Sequence, residues 1–533
     1  MAVCRQLGAS ARSAGLPHTQ WLVEFVGAVQ LEACLRPATA RTSVESTLAA
    51  EPLTAPSRKA VSHGFMSIPC PGEWERILRP RAMKGGAQSR PPGRFGLKIL
   101  LTGANGFIGS RLVHALLAEG HTLVCPVRRP PSGHNAPDAT FVPMDFSGAL
   151  SEDAWMPLLK NVDAVINTVG LFRERRAGDF AAVHVRAPQA LFHAARRQGV
   201  RCVIQFSALG ADAGAASGFH LSKRAADDDL RMSGMPAAIV QPSLVYGPGG
   251  ASAALFNRLA VLPLLPLAGG GRQPVQPVHL DDVVDGVLAL LNSPPQTPVT
   301  IAFCGPTPIT LRGYLATLRR ALGLDTPLRV VPIPMTIATG LAATASLLPG
   351  SLIDPTALSM LERGNTADPA PFSALLGRAA RAPDRFIVPQ TRDSQRASAL
   401  LDVTLPLLRF SIALVWLWTA AVSFGLYPVA ASLDLLRRTG VPDSLAPFAL
   451  YGAATLDLAF GVLTLALRGR ARQWLWIAQA VLIVGYTAII TVRLPEFWMH
   501  PFGPLSKNLP ILAALALLYL HEPATARKRQ WNT

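Results

Sequence analysis

Charge is sparse in these 533 residues. Only 16% are Asp, Glu, Lys or Arg, while 50% are hydrophobic, and mean hydropathy is +0.30. Such a chain is neither disordered nor fibrous, and it is more apolar than an ordinary soluble enzyme. Lysine is nearly missing: seven of the 50 bases are Lys. The net charge of +17 is spread as +3 over 1–82, +8 over 83–390 and +6 over 391–533. No concentrated Lys/Arg run occurs outside the tail, so the basic excess does not describe a nucleic-acid-binding face and no nucleic-acid partner is expected. It reads instead as a compositional bias toward Arg, Ala and Pro. The six cysteines (Cys4, Cys34, Cys70, Cys125, Cys202, Cys304) form no CxxC pair. Neither a disulfide framework nor a metal site is expected from them, and the main domain belongs in a reducing compartment.

What is present divides into three parts. Residues 1–82 show no sustained periodicity, and the apolar stretch Trp21–Gln30 is broken by Glu24, which makes it a poor signal-peptide core. This part reads as a disordered leader or as sequence upstream of the true start, with Met83 as the initiator. Residues 83–390 form a second part. Within 97–385, short β-branched runs alternate with helical patterns, as in βαβ units around a parallel sheet. The strands predicted are Leu97–Leu101, Thr122–Val127, Ala164–Asn167, Cys202–Phe206 and Ala238–Gln241, with helices such as Ser110–Glu119 and Pro188–Gln198 between them.

The third part, after a linker at 391–405, is a membrane domain at 406–524 followed by a basic tail at 525–533. Phe410–Ala431 runs 22 residues and Gln473–Val492 runs 20 residues without a charge. Each meets the length of about 20 residues needed to span a bilayer. Ser444–Leu467 is comparable, with the single acid Asp457, and Asn508–Leu520 is a shorter fourth span of 13 residues. Trp416, Trp418, Trp474, Trp476 and Trp498 suit interfacial belts. The competing arrangement, a buried soluble bundle, fits three such segments in a row poorly. Arg392, Arg396, Arg468, Arg470, Arg472, Arg527, Lys528 and Arg529 lie on one side, against Arg437, Arg438, Arg493 and Lys507 on the other. The bias predicts both termini and the second part, 83–390, on the cytoplasmic side of an inner or cytoplasmic membrane. Asp457 within a span is a functional candidate, with Arg409 either its partner or a side chain that snorkels to the inner face.

The most specific motif follows the first strand. Leu97–Leu101 runs into Thr102-Gly103-Ala104-Asn105-Gly106-Phe107-Ile108-Gly109, and a helix begins. Gly103 permits a tight turn, Gly106 lets backbone approach a pyrophosphate, and Gly109 lets helix and strand pack. The helix N-terminus adds amide donors and a favourable dipole. This G-x-x-G-x-x-G spacing resembles the short-chain dehydrogenase/reductase superfamily in its extended and atypical branches, the NAD-dependent epimerase/dehydratase type. The resemblance implies a Rossmann-type doubly wound α/β domain with a nicotinamide dinucleotide held by Gly103, Asn105, Gly106, Phe107, Ile108 and Gly109. The second strand ends in Arg128-Arg129, where an NAD enzyme of that family usually has an acid. Two arginines there suit a 2′-phosphate, so NADP(H) is the preferred cofactor, with NAD(H) the alternative; a surface Arg pair in an Arg-rich chain is the plainer reading. Asp145 matches the family's adenine contact, and Thr168 with Gly170 matches its fourth-strand turn.

In this superfamily a Tyr four residues before a Lys does acid/base work beside an upstream Ser. Here Ser207 and Lys223 stand in the matching places, but Phe219 replaces the Tyr and has no proton to give. His220 is adjacent, yet one residue is about 100° around a helix, so it is both a candidate acid/base and a surface histidine. Pro242 and Ser243, in Gln241–Gly249, resemble the segment bordering the nicotinamide. Gln273–Val283 resembles the loop and helix start that close the substrate side, with Asp281 equally a helix N-cap. Cys304-Gly305-Pro306 with Ile309-Thr310-Leu311 resembles the last strand and its helix entry. Together these resemble the atypical branch that includes the NAD(P)H-binding accessory subunit of respiratory complex I. The apolar segments with Arg409 and the loop Pro495–Pro504 resemble the DoxX-like four-helix membrane family, associated with redox partners and quinones. Glu496 and His500 in that loop are candidates to approach a metal or quinone, or mark a rigid interfacial turn.

Three functions follow as expectations. The first is a membrane-anchored NAD(P)H-binding oxidoreductase passing reducing equivalents to a quinone or other membrane partner. The second is a non-catalytic NADPH-holding assembly or stability factor of a respiratory complex. The third is a membrane-tethered epimerase/dehydratase.

Overall fold

The computed structural model describes residues 96–130, 137–345, 355–501 and 503–523. The leader 1–82, Met83 and the tail 525–533 with Arg527, Lys528 and Arg529 lie outside the described residues.

Seven strands form one parallel sheet: β1 (Lys98–Thr102), β2 (Thr122–Val127), β3 (Ala139–Pro143), β4 (Ala164–Asn167), β5 (Cys202–Phe206), β6 (Ala237–Pro242) and β7 (Val299–Phe303), in the order β7-β6-β5-β4-β1-β2-β3. The central strands are buried along their length, as expected when helices cover both faces. Helices α1 (Phe107–Ala118), α2 (Ala187–Arg197), α3 (Gly218–Met232), α4 (Ala251–Val261), α5 (Leu280–Asn292) and α6 (Leu311–Ala321) follow the strands. One face is filled by Leu112 and Leu116 of α1 with Val283, Val287 and Leu290 of α5. The other is filled by Leu191 and Phe192 of α2 with Ala226 and Leu230 of α3. The chain reverses direction between β1 and β4, so their carboxyl ends open the crevice in which doubly wound sheets bind ligands. Two strands, β3 and β7, go beyond the five predicted.

A 33-residue helix, α7 (Pro389–Ala421), joins the sheet domain to the membrane helices. Residues 391–405, expected as a linker, lie inside it. Their face packs on the soluble domain: Ala399 and Val403 join an apolar cluster with Leu265 and Leu318, Asp402 pairs with Arg258 at 2.8 Å, and the Tyr246 hydroxyl donates to Gln395 Oε1 at 3.2 Å. The helix therefore runs unbroken from the sheet domain into the apolar bundle. It ends in π-helical turns over Val422–Leu426, where Gly425 adopts φ 137°. Pro428 then bars continuation, lacking an amide hydrogen, and Val429–Arg438 is a separate helix. The first span predicted at Phe410–Ala431 overruns this break.

Helices α8 (Ala446–Ala466), α9 (Arg470–Arg493) and α10 (Asn508–His521) complete the bundle. Three helices are long and apolar enough to cross a membrane, and only 17, 33 and 17% of their apolar windows are buried. The remaining apolar surface needs an apolar solvent, which removes the soluble-bundle alternative. Large side chains such as Phe410, Trp418, Phe448, Trp474 and Val492 face outward, and small ones sit between helices. Gly461 is required there, because a Cβ would lie 2.6 Å from Leu417 Cγ. At 14 residues, α10 rises only about 21 Å against a core of about 30 Å.

Arg409 does not partner Asp457. It lies 3.5 Å from Glu522, which also lies 3.4 Å from Arg472, so one carboxylate holds two arginines from α7 and α9. Glu496 pairs with Arg438, and His500 stacks on Phe497.

Candidate functional site: a dinucleotide cradle

The turn between β1 and α1 is packed around its glycines. Gly103 has φ +73°, and a Cβ there would meet Thr168 Oγ1 at 2.5 Å. At Gly109 a Cβ would lie 2.0 Å from the Gly103 carbonyl oxygen and 3.0 Å from Thr168 Oγ1. Thr168 in turn donates to the Thr102 carbonyl at 2.8 Å. The loop is thus drawn onto the end of β4 so closely that side chains are excluded, leaving backbone amides as its polar surface at the start of α1. Gly106 caps that helix without a side-chain bond. Phe107 sends its ring against Gly247 and Gly250 beyond β6, and Ile108 packs on the core beneath. Asn105 donates from Nδ2 to the Arg129 carbonyl at 3.1 Å, tying the loop to the end of β2, where Arg128 and Arg129 are exposed. These features fit a pyrophosphate against the loop with two cations at the adenosine end. Asp145, exposed after β3, accepts from the Ser147 amide at 3.1 Å and caps a 3₁₀ turn.

A buried polar ladder crosses the crevice floor. Thr102 Oγ1 donates to Asn167 Oδ1 at 2.5 Å, and Asn167 Nδ2 donates to Gln205 Oε1 at 2.7 Å. Strand-end side chains are paired with one another here, consistent with the cost of leaving buried polar groups unmade.

Lys223, on α3, is 4% exposed. Its Nζ donates to the carbonyls of Val169 at 3.1 Å and Phe206 at 3.0 Å, and a Cβ at Gly170 would stand 3.1 Å from it. Burial lowers its pKa. One turn on, at Asp227, burial raises the carboxyl pKa. Asp227 Oδ2 accepts from Ser207 Oγ, while its other oxygen is buried without a hydrogen-bond partner. Ser207, Lys223 and Asp227 therefore form one buried group under the end of β5.

Phe219 projects elsewhere, into an aromatic cluster with Phe172 at 5.5 Å, Phe180 at 6.3 Å and His184 at 5.6 Å between ring centroids. His184 lies in π-helical turns at Ala181–Arg186. Its Nε2 accepts from the Leu171 amide at 2.8 Å, so its remaining ring nitrogen carries the proton and meets Ser222 Oγ at 2.9 Å. Burial, reinforced by the Lys223 charge, pushes its pKa down to about 2. His184 is a fixed neutral acceptor rather than a proton donor. His220 is turned toward Gly210, where a Cβ would lie 2.9 Å from its ring, and burial lowers its pKa.

Pro242 closes β6 and accepts the Leu209 amide at 3.2 Å. Ser243 is buried, with its hydroxyl donating to the Gln276 carbonyl at 2.6 Å, which fixes the loop rather than presenting a free hydroxyl to the crevice. Asp281 is not the N-cap of α5. His279 takes that place, accepting the Asp281 amide at Nδ1, and Asp281 pairs with Arg111 and Arg381 at 3.2 and 2.9 Å. Leu311 opens α6 behind the Thr310 cap. Asp227, His184 and Gln205 were not singled out by the sequence reading. Asp227 alone carried a signal, its place one turn beyond Lys223 on the same helix face.

Comparison with known proteins places two families on the chain. Residues 99–302 match the NAD dependent epimerase/dehydratase family, and residues 413–516 match the DoxX-like family. A ceramide reductase of Caulobacter vibrioides is 31% identical over 199 residues, 37% of this chain and 61% of that protein. The mouse mitochondrial NADH dehydrogenase [ubiquinone] 1 alpha subcomplex subunit 9 is 28% identical over 47% of this chain and 67% of its own length. An epimerase family protein of Mycobacterium tuberculosis is 27% identical over 49% of this chain and 90% of that one. The chain thus spans less than two thirds of the ceramide reductase's length.

Proposed function

Taking as premise that this chain carries an NAD-dependent epimerase/dehydratase domain and a DoxX-like membrane domain, we propose that it is a membrane-anchored, NAD(P)H-binding oxidoreductase of the short-chain-reductase type. In this reading it passes reducing equivalents to an acceptor dissolved in or bound to the membrane, a quinone or a lipid carbonyl. The observation that carries it is the tight glycine turn at Gly103, Gly106 and Gly109, packed on Thr168, with Lys223 buried against the carbonyl of the adjoining Val169, on a domain whose last helix continues into the apolar bundle. The relative named ceramide reductase supports a reductive role on a lipid.

The residues divide the work as follows. Gly103, Asn105, Gly106, Phe107, Ile108 and Gly109 hold the pyrophosphate, and Asp145 borders the adenine. Arg128 and Arg129 select NADP(H) over NAD(H) by pairing with the 2′-phosphate. Thr168, Gly170, Pro242 and Ser243 shape the nicotinamide end, and Lys223 orients the ribose there. The bound nucleotide supplies the hydride. Phe219 offers no proton, and the Ser207 hydroxyl is committed to Asp227, so a proton for a substrate oxygen at Ser207 is drawn through the Asp227 carboxyl, whose raised pKa suits a donor. His220, one turn before Lys223 on the buried face of α3, is a second proton source. The cofactor domain at 83–390 faces the cytoplasm and the membrane domain occupies 406–524.

One observation favours a second reading. With Phe219 in the Tyr place, the site would hold NADPH without consuming it, and the chain would act as a stability factor for a respiratory complex, as the complex I subunit relative suggests. NADPH oxidation by membranes supplied with a quinone analogue separates the two. Turnover that is lost in Lys223→Met supports the reductase. No turnover with any acceptor, together with co-purification of a large complex, supports the holding role.

A further inference from the structure

Among the described residues, the sheet domain carries an apolar face that no other element covers. Residues 330–345 contain no charged side chain, although they lie outside the spanning helices. The strand Arg329–Ile333 pairs in parallel with Leu264–Ala268. Alternation along a strand sends neighbouring side chains to opposite faces. Leu265 and Leu267 go inward, whereas Leu264 and Val331 are 54% and 42% exposed and Pro266 is exposed beside them. The helix Met335–Ala345 follows. Ala338 and Ala342 are buried, while Ile337 and Leu341, one turn apart, are 55% and 57% exposed. At Gly340, between them, an added Cβ would meet nothing within 4 Å.

The underside of this small sheet shows where the face lies. Leu265 and, beside it, Val330 and Leu328 belong to the cluster that takes in Ala399 and Val403 of α7. Val403 stands four residues before Leu407, which is exposed on the spanning part of that helix. Four residues are about 6 Å of helical rise, and the headgroup layer on each side of a bilayer is about 5–8 Å deep. The sheet therefore packs on that helix about one turn before its outward-facing apolar part begins, the height at which a headgroup layer would lie if the apolar part is in hydrocarbon. Arg329, exposed and in register with Leu264, supplies a cation at the rim for anionic headgroups.

We propose that the face formed by Leu264, Pro266, Val331, Ile337 and Leu341 is seated in the headgroup–acyl boundary of the bilayer that α7 crosses. A short apolar helix lying in the interface plane is a stable arrangement when its other face is packed on protein. The consequence is that the nucleotide domain is docked on the membrane at two places, by α7 and by this face, and holds a fixed height above it.

The test uses the full chain in vesicles of phosphatidylcholine and phosphatidylglycerol. Cys4, Cys34 and Cys70 are replaced by Ser, and the buried Cys125, Cys202 and Cys304 are left in place. Leu341→Cys and Ile337→Cys are each labelled with an environment-sensitive fluorophore and read against Met232→Cys, an exposed site on α3. The face on the bilayer predicts loss of fluorescence at 337 and 341 when doxyl-labelled lipid is included, and little quenching by aqueous iodide. Met232→Cys gives the opposite pattern. Labels at 337 and 341 that iodide quenches as fully as at 232 overturn the proposal. So does protection from both quenchers, which would mean that protein, a second copy or another part of this chain, covers the face.

Discussion

Gly109→Ala tests the cradle at its tightest point. The added methyl would stand 2.0 Å from the Gly103 carbonyl oxygen and 2.7 Å from its carbon. Ordinary van der Waals contact needs more than 1 Å beyond that, and both atoms are backbone that cannot swing aside. The Gly103 oxygen is also bonded to the Gly106 amide at 2.8 Å, so relief requires the whole turn to open. Forcing a methyl into a packed site costs about 1–3 kcal/mol. If the turn must close again to hold a pyrophosphate, that cost appears in binding as a loss of roughly 5- to 150-fold. Gly148→Ala is the matched control, since nothing lies within 4 Å of its Cβ. Calorimetric titration of both purified variants with NADPH, alongside thermal melts, gives the readout. Gly109→Ala should melt lower and bind at least several-fold more weakly, while Gly148→Ala matches wild type. Wild-type affinity in Gly109→Ala would refute the assignment of this turn as the phosphate site.

Other consequences follow from the same geometry. His184 is neutral in the folded protein, with its pKa near 2, while an unfolded histidine titrates near 6.5. Below pH 6.5 the unfolded state binds the extra proton, so this group's contribution to stability is full above 6.5 and falls by about 1.4 kcal/mol per pH unit as pH drops. His184→Gln should flatten the wild-type decline between pH 6.5 and 4.5, and an unchanged slope in chemical denaturation would count against a buried neutral ring. Phe219→Tyr should leave NADPH oxidation with a carbonyl acceptor unchanged, because position 219 points into the cluster of Phe172, Phe180 and His184; a gain of about tenfold or more in steady-state assays, the scale of general acid catalysis, would mean that position 219 does reach the substrate oxygen. Arg128→Ser with Arg129→Ser should weaken NADPH about tenfold, roughly 1.4 kcal/mol, and leave NADH unchanged. Equal loss for both nucleotides would remove the 2′-phosphate role.

The parallel sheet was legible where strands are buried on both faces. Thr122–Val127, Ala164–Asn167 and Cys202–Phe206 have the boundaries read from their β-branched runs. β3 escaped because Ala139–Pro143 is an edge strand ending in proline, with only Ala139 fully buried. β7, Val299–Phe303, is only partly buried until Phe303, so its pattern is weaker than that of the Cys304-Gly305-Pro306 turn that follows. The charge-free run beginning at Phe410 left 391–405 as a linker, but Arg392 and Arg396 lie on a helix already packed against Gly323, so the helix begins earlier than the hydrophobic run. The glycine loop, Ser207 and Lys223 could be placed from their spacing along the chain. Asp227 and His184 could not, because their significance lies in what burial does to them: one carboxylate shares a hydroxyl with Ser207 and one imidazole is locked by a backbone amide. Asp457 also shows the limit of pattern. Its nearest basic residue by sequence logic, Arg409, is drawn to Glu522, a residue at the far end of the chain.

The measurement that bears most directly on the central claim is calorimetric titration of the detergent-purified full chain with NADPH and with NADH, repeated on Lys223→Met. The account predicts saturable binding of NADPH, weaker binding of NADH, and a clear loss of affinity in the variant with its fold retained. Absence of binding by either nucleotide to the wild-type protein would contradict it.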